Sequence, residues 1–75
     1  MKLANRIRLI REACRLTQSE VAYRCGITPS ALGQIERKAG KATFETLEKI
    51  AEAIGVSVSF LVDINNKEYV EKNKL

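Results

Sequence analysis

The 75-residue chain contains no histidine, no tryptophan and a single aspartate, Asp63. Without histidine, imidazole acid–base and triad chemistry is excluded, and with one Asp a carboxylate metal cage is not expected. The composition therefore points away from an enzyme, and no cofactor or metal is expected. Cysteine is scarce as well. Cys14 and Cys25 lack metal-ligand spacing and have no secretory signal beside them, so they read as reduced core residues of a cytoplasmic protein. No apolar run approaches the length of a membrane span, and the N-terminal stretch is amphipathic with arginines throughout, unlike a signal peptide. There are no repeats or low-complexity segments. The length suits one domain with a modest core; it leaves no room for a ligand-sensing domain, so no small-molecule substrate is expected.

Positive charge is plentiful, and it is unevenly placed. The net charge is +4. Residues 1–41 carry nine Lys or Arg against three Glu, a balance of +6, whereas residues 42–75 carry four against six acids, a balance of −2. A basic half beside a weakly acidic one favours a directed anion-binding face over diffuse solubility charge.

Apolar spacing predicts five helices. Leu3, Ile7, Ile10 and Cys14 recur at helical intervals and predict a first helix over 2–15, with Arg6, Arg8 and Arg15 outside its buried stripe. Val21, Ala22 and Cys25 mark the inner face of a second helix, whose Gln18, Ser19, Tyr23 and Arg24 are expected outside. Ile27, Leu32 and Ile35 mark the inner side of the next turn and helix. Phe44, Leu47, Ile50, Ala51 and Ile54 give a fourth helix a strong apolar stripe, capped by Thr43 and stopped at Gly55. Ser57 caps a short fifth helix containing Val58, Phe60, Leu61 and Val62, apolar nearly all round, so part of it is expected at a contact.

The stretch Thr17–Arg37, TQSEVAYRCGITPSALGQIER, organises the rest. Thr17 and Glu20 form the T-x-x-E of a capping box. Gly26 suits a left-handed helix stop, and Thr28-Pro29 supplies a second N-cap with Pro where no N–H is needed. A helix, a glycine turn and a second capped helix make the unit that can lay its second helix in the DNA major groove. Pro29, Ser30, Gly33, Gln34 and Arg37 share the outer face of that helix, which is slim, polar and free of acid. Gly33 in mid-helix is either tolerated drift or a sign that a groove wall passes too close for a Cβ. Gln34 is either a base reader or a solvated side chain.

Residues 6–62 resemble the Cro/C1-type, lambda repressor-like helix-turn-helix family. The resemblance rests on IRLIRE at 7–12, LTQSEVA at 16–22, CGIT at 25–28, IER at 35–37 and TLEKIAEAIGVS at 46–57. It implies an all-α, compact five-helix DNA-binding domain over residues 1–64, with residues 65–75 as a tail that frays or adds a last turn or strand to a partner contact. By the resemblance, residues 28–37 form the recognition helix. Thr28, Pro29, Ser30, Gly33 and Gln34 would face the bases; Gln can pair in two places with the adenine edge. Gln18 would bind a phosphate at a helix start, and Arg37, Lys38 and Lys41 would hold backbone phosphates. Arg11 and Glu36 match the family's ion pair joining the first helix to the end of the recognition helix. The pattern departs at two places: Lys38 and Ala42 stand where the family has Gly and Pro, so Gly40 is expected to take over the bend.

The resemblance implies a transcriptional regulator, repressor or controller, binding double-stranded DNA at a palindromic operator as a homodimer. Phe60, Leu61, Val62, Ile64, Tyr69 and Val70 are the expected dimer surface. The alternative is a protein-interaction regulator, an antitoxin or antirepressor that turns its fifth helix and tail toward a protein partner.

Overall fold

A computed structural model of the chain describes residues 2–66, apart from the side chain of Lys41. Five helices form: α1 (Leu3–Ala13), α2 (Gln18–Cys25), α3 (Pro29–Arg37), α4 (Phe44–Ile54) and α5 (Val58–Val62), with a short 3-10 turn at Ala39–Lys41. There is no strand among the described residues. Four of the five helices start on a hydroxyl cap. The oxygens of Thr17, Thr28, Thr43 and Ser57 accept from the N–H groups of Glu20, Ala31, Thr46 and Phe60, each at 3.0–3.1 Å. Each bond satisfies one of the donors a helix start leaves unpaired, and loss of such a cap costs about 1 kcal/mol. Gly26 and Gly55 end α2 and α4 at φ +73° and +95°, a region costly for any residue with a Cβ.

α1 ends earlier than the pattern predicts, because Arg15 itself adopts a left-handed conformation at φ +59°. The Leu16 N–H then returns to the Arg11 carbonyl at 3.2 Å, closing the helix without a glycine.

The packed centre comprises Ile7 and Ile10 of α1, Val21 and Ala22 of α2, Leu32 of α3, Ile50 of α4 and Leu61 of α5, all fully buried. α2 packs on α3 and α4, and α1 packs on α3 and α5. Cys25 is also buried and Cys14 half-buried, both as reduced thiols. Burial pushes the Cys25 thiol up, against the opposing pull of Lys49, so it stays protonated and packs as a small hydrophobe.

Three expectations from the pattern are corrected. Arg6, placed outside the buried stripe, is fully buried: its guanidinium has found backbone carbonyls of α5 that no pattern of apolar residues reveals. Phe44, placed in the core stripe of α4, is 65% exposed. It occupies the first helical position, where side chains lean toward the N-terminus and so overhang the helix end instead of the core. Leu61, expected on a dimer surface, is fully buried within the chain.

Candidate nucleic-acid interface

α2 and α3 are held at their angle by a turn whose bonds are all local. The Gly26 N–H bonds to the Tyr23 carbonyl at 3.2 Å and the Ile27 N–H to the Ala22 carbonyl at 3.0 Å. Thr28 then caps α3 and Pro29 takes its first position. The capping box at the start of α2 is complete: the Glu20 carboxylate accepts from the Thr17 N–H at 3.1 Å. That bond holds the Glu20 carboxyl below the usual carboxylate range, with the Thr17 hydroxyl contact next in importance.

Thr28, Pro29, Ser30, Gln34 and Arg37 are exposed along one side of α3. The only carboxylate of this helix, Glu36, is turned inward and 4% exposed. It meets Arg11 of α1 in a two-pronged pair, Nε to Oε2 at 2.7 Å and Nη2 to Oε1 at 3.0 Å. Arg11 Nη1 also donates to the Leu16 carbonyl at 2.7 Å. A bidentate pair in which every guanidinium nitrogen has a partner is the geometry in which a buried ion pair can offset its desolvation. The consequence for the outer side is electrostatic: α3 shows solvent a cation and neutral polar groups, with its one negative charge neutralised underneath.

Gln18, the first residue of α2, is half-buried and donates from Nε2 to Glu36 Oε1 at 3.1 Å. Gly33 lies directly beneath it. A Cβ at Gly33 would sit 3.6 Å from Gln18 Nε2, 3.8 Å from Gln18 Oε1 and 3.9 Å from Arg37 Nη1. Gly33 is therefore buried under two side chains and is not part of the exposed reading side on which the pattern placed it.

The chain leaves α3 through Lys38, at φ −145° and ψ 87°, and the Lys38 N–H bonds to the Gln34 carbonyl at 2.8 Å. This extended exit needs no left-handed residue. Gly40 sits in the middle of the 3-10 turn that makes this bend, without a positive φ; the turn closes with the Ala42 N–H on the Ala39 carbonyl at 2.9 Å. Lys41 belongs to that turn. A cleft of about 410 Å³ separates the turn from the start of α1, lined by Lys2, Leu3, Ala4, Arg37, Lys38, Ala39 and Gly40. Among the described residues none of its three cations, Lys2, Arg37 and Lys38, is in an ion pair. Lys2 was not among the expected site residues: the residues facing it across the cleft, Arg37 to Gly40, are 35 or more positions away in sequence.

Of the expected dimer residues, Val62 and Ile64 are each 37% exposed, Phe60 is half-buried, and Tyr69 and Val70 lie outside the described residues. No helix of the described residues is long and apolar enough to cross a membrane.

Comparison with known proteins agrees with this arrangement. The helix-turn-helix family pattern matches residues 7–61. The immunity repressor protein of Bacillus phage phi105 is 37% identical over 62 residues, spanning 83% of this chain and 43% of that protein. The chain thus corresponds to less than half the length of that relative. No solved structure matches it significantly. With the capped α2, the glycine turn and the capped α3 all inside the matched residues, the chain belongs to the Cro/C1-type helix-turn-helix family.

Proposed function

We propose that the chain is a DNA-binding transcriptional regulator, a repressor, that binds a palindromic operator as a homodimer with α3 in the major groove. The observation that carries this reading is the outer side of α3: Ser30, Gln34 and Arg37 face outward while Glu36, its only acid, is buried against Arg11. A helix side cleared of negative charge in this way is suited to a polyanion, and a solvated helix has no need of it. The relative from phage phi105 is named an immunity repressor, which supports the sign of regulation.

In this reading Ser30 and Gln34 contact base edges, with Thr28 and Pro29 alongside. Gln18, Arg37, Lys38 and Lys41 hold phosphates on either side, joined by Lys2 across the cleft. Few side chains are available to read bases, so DNA shape supplies part of the specificity. One such module makes too few base contacts to select a site, whereas two copies about 34 Å apart on one face of the duplex make enough. Selection of bound duplexes from a random pool at fixed salt tests the reading. A palindromic consensus is the expected result; recovery of no consensus would exclude sequence-specific binding.

A further inference from the structure

Arg6 is a buried cation that the DNA-binding reading leaves unused. Its side chain is fully buried, with the guanidinium carbon 4.8 Å from the centroid of the Phe60 ring. Nε donates to the carbonyls of Phe60 at 3.1 Å and Leu61 at 3.0 Å, Nη2 donates again to Phe60, and Nη1 reaches the carbonyl of Asn66. α5 is only five residues long and ends on Asp63 at φ −79°, so it has no left-handed cap to use up its last carbonyls. The guanidinium takes the Phe60 and Leu61 carbonyls, beside the Asp63 N–H on Phe60 and the Ile64 N–H on Val62, and also holds the chain three residues beyond Asp63, at Asn66. Between the two anchored points lies Ile64, exposed together with Val62. Five residues along the same helix, Arg11 holds Glu36, and Glu36 holds Gln18. α1 is thus tied at one point to the Val62–Ile64 segment and at another to the recognition helix.

Charge favours a second copy of this chain as the occupant of the Val62–Ile64 surface. A two-fold contact sets the same patch against itself, so any like charges on it face each other. Residues 58–66 carry one charged group, Asp63; burial lowers the Arg6 guanidinium, and nearby Asp63 offsets part of that desolvation. The patch is close to neutral and can pair with itself, while it lacks the cations a nucleic acid would need.

We infer that Arg6 is a positioning residue for self-association: by clamping residues 60–66 to α1 it presents Val62 and Ile64 to a second copy and relates the dimer contact to the recognition helix. This rests on the dimeric reading above. Sedimentation of the full chain at tens of micromolar, without DNA, compares the wild type with Arg6→Lys, Asn66→Pro and Ile64→Glu. Lysine keeps the charge without the fork that spans Phe60, Leu61 and Asn66. Proline at 66 keeps the carbonyl that Arg6 Nη1 reaches but removes the bond from the Asn66 N–H to the Asp63 carbonyl that brings it there, and touches no core side chain. Circular dichroism and binding to a short random-sequence duplex at low salt report the folded DNA-binding module separately. Expected are a wild-type dimer, a monomeric Ile64→Glu, and self-association weakened at least about tenfold in Arg6→Lys and Asn66→Pro, with random-duplex binding within about twofold of wild type. A wild type that is monomeric overturns the dimeric reading and the inference together. If the wild type dimerises and Ile64→Glu does not, equal dimerisation by both clamp variants overturns the role of Arg6 alone. Loss of association only in proportion to lost helicity and lost duplex binding overturns it too. Should Arg6→Lys fail to fold, Asn66→Pro decides.

Discussion

Gln18 Nε2 donates to Glu36 Oε1 at 3.1 Å, so the carboxylate that closes the α1–α3 ion pair also fixes the first side chain of α2. Three helices meet at one buried carboxylate. Glu36 thereby serves the interface without facing it: it cancels its own charge against Arg11, orients Gln18 and leaves the outer side of α3 free of acid.

Removing one member of that pair leaves the other buried and unpaired. Glu36→Leu and Arg11→Met are each expected to destabilise the fold by roughly 3–5 kcal/mol. The double variant should cost clearly less than the sum, because neither charge remains stranded. Denaturant melts of the two single variants and the double check this, and unchanged stability in both singles would remove the pair's structural role.

Gly33→Ala should stabilise the fold by about 0.5–1 kcal/mol, the usual gain on replacing a mid-helix glycine. The new methyl would make ordinary contacts of 3.6–3.9 Å with Gln18 and Arg37. Because those side chains already cover the site, DNA affinity should be unaffected. A more stable variant with tenfold weaker DNA binding would instead put the DNA backbone against Gly33.

Gln34→Ala and Lys38→Ala separate reading from anchoring. Alanine at 34 should relax preference at one or two base pairs, while alanine at 38 should weaken all sequences alike and lower the salt dependence by about one counterion. Titrations of selected and random duplexes at several salt concentrations distinguish them. Equal losses on both DNAs for Gln34→Ala would remove it as a reader.

The capping box gives a pH dependence of known sign. The folded Glu20 carboxyl lies below its ordinary 4.5 because the Thr17 N–H bonds to the charged form. Its contribution is complete above that ordinary value and is lost as pH falls through the lowered folded value. Glu20→Gln should therefore melt below the wild type at neutral pH, with the gap narrowing as pH falls below the ordinary 4.5 of Glu20. A gap that stays constant would place the Glu20 contribution outside its ionisation.

Much of this molecule is decided over a few neighbouring residues. The four hydroxyl caps, the stops at Gly26 and Gly55 and the inward stripes of α2, α3 and α4 each depend on groups within four or five positions of one another, so local chemistry and helical spacing identify them in the bare sequence. The family patterns from IRLIRE to TLEKIAEAIGVS point to the fold for the same reason, and the Arg11–Glu36 pair is foreshadowed only through them. Tertiary structure decided the rest. Arg6 looks like a surface arginine until a short α5, 54 positions away, offers its carbonyls. Phe44 looks like core until its place at the helix start turns it outward. Gly33 looks like a reading position until Gln18 and Arg37 close over it. Periodicity records which side of a helix is apolar; which backbone groups lack a partner, and which side chain arrives to supply one, is settled only when distant segments pack together.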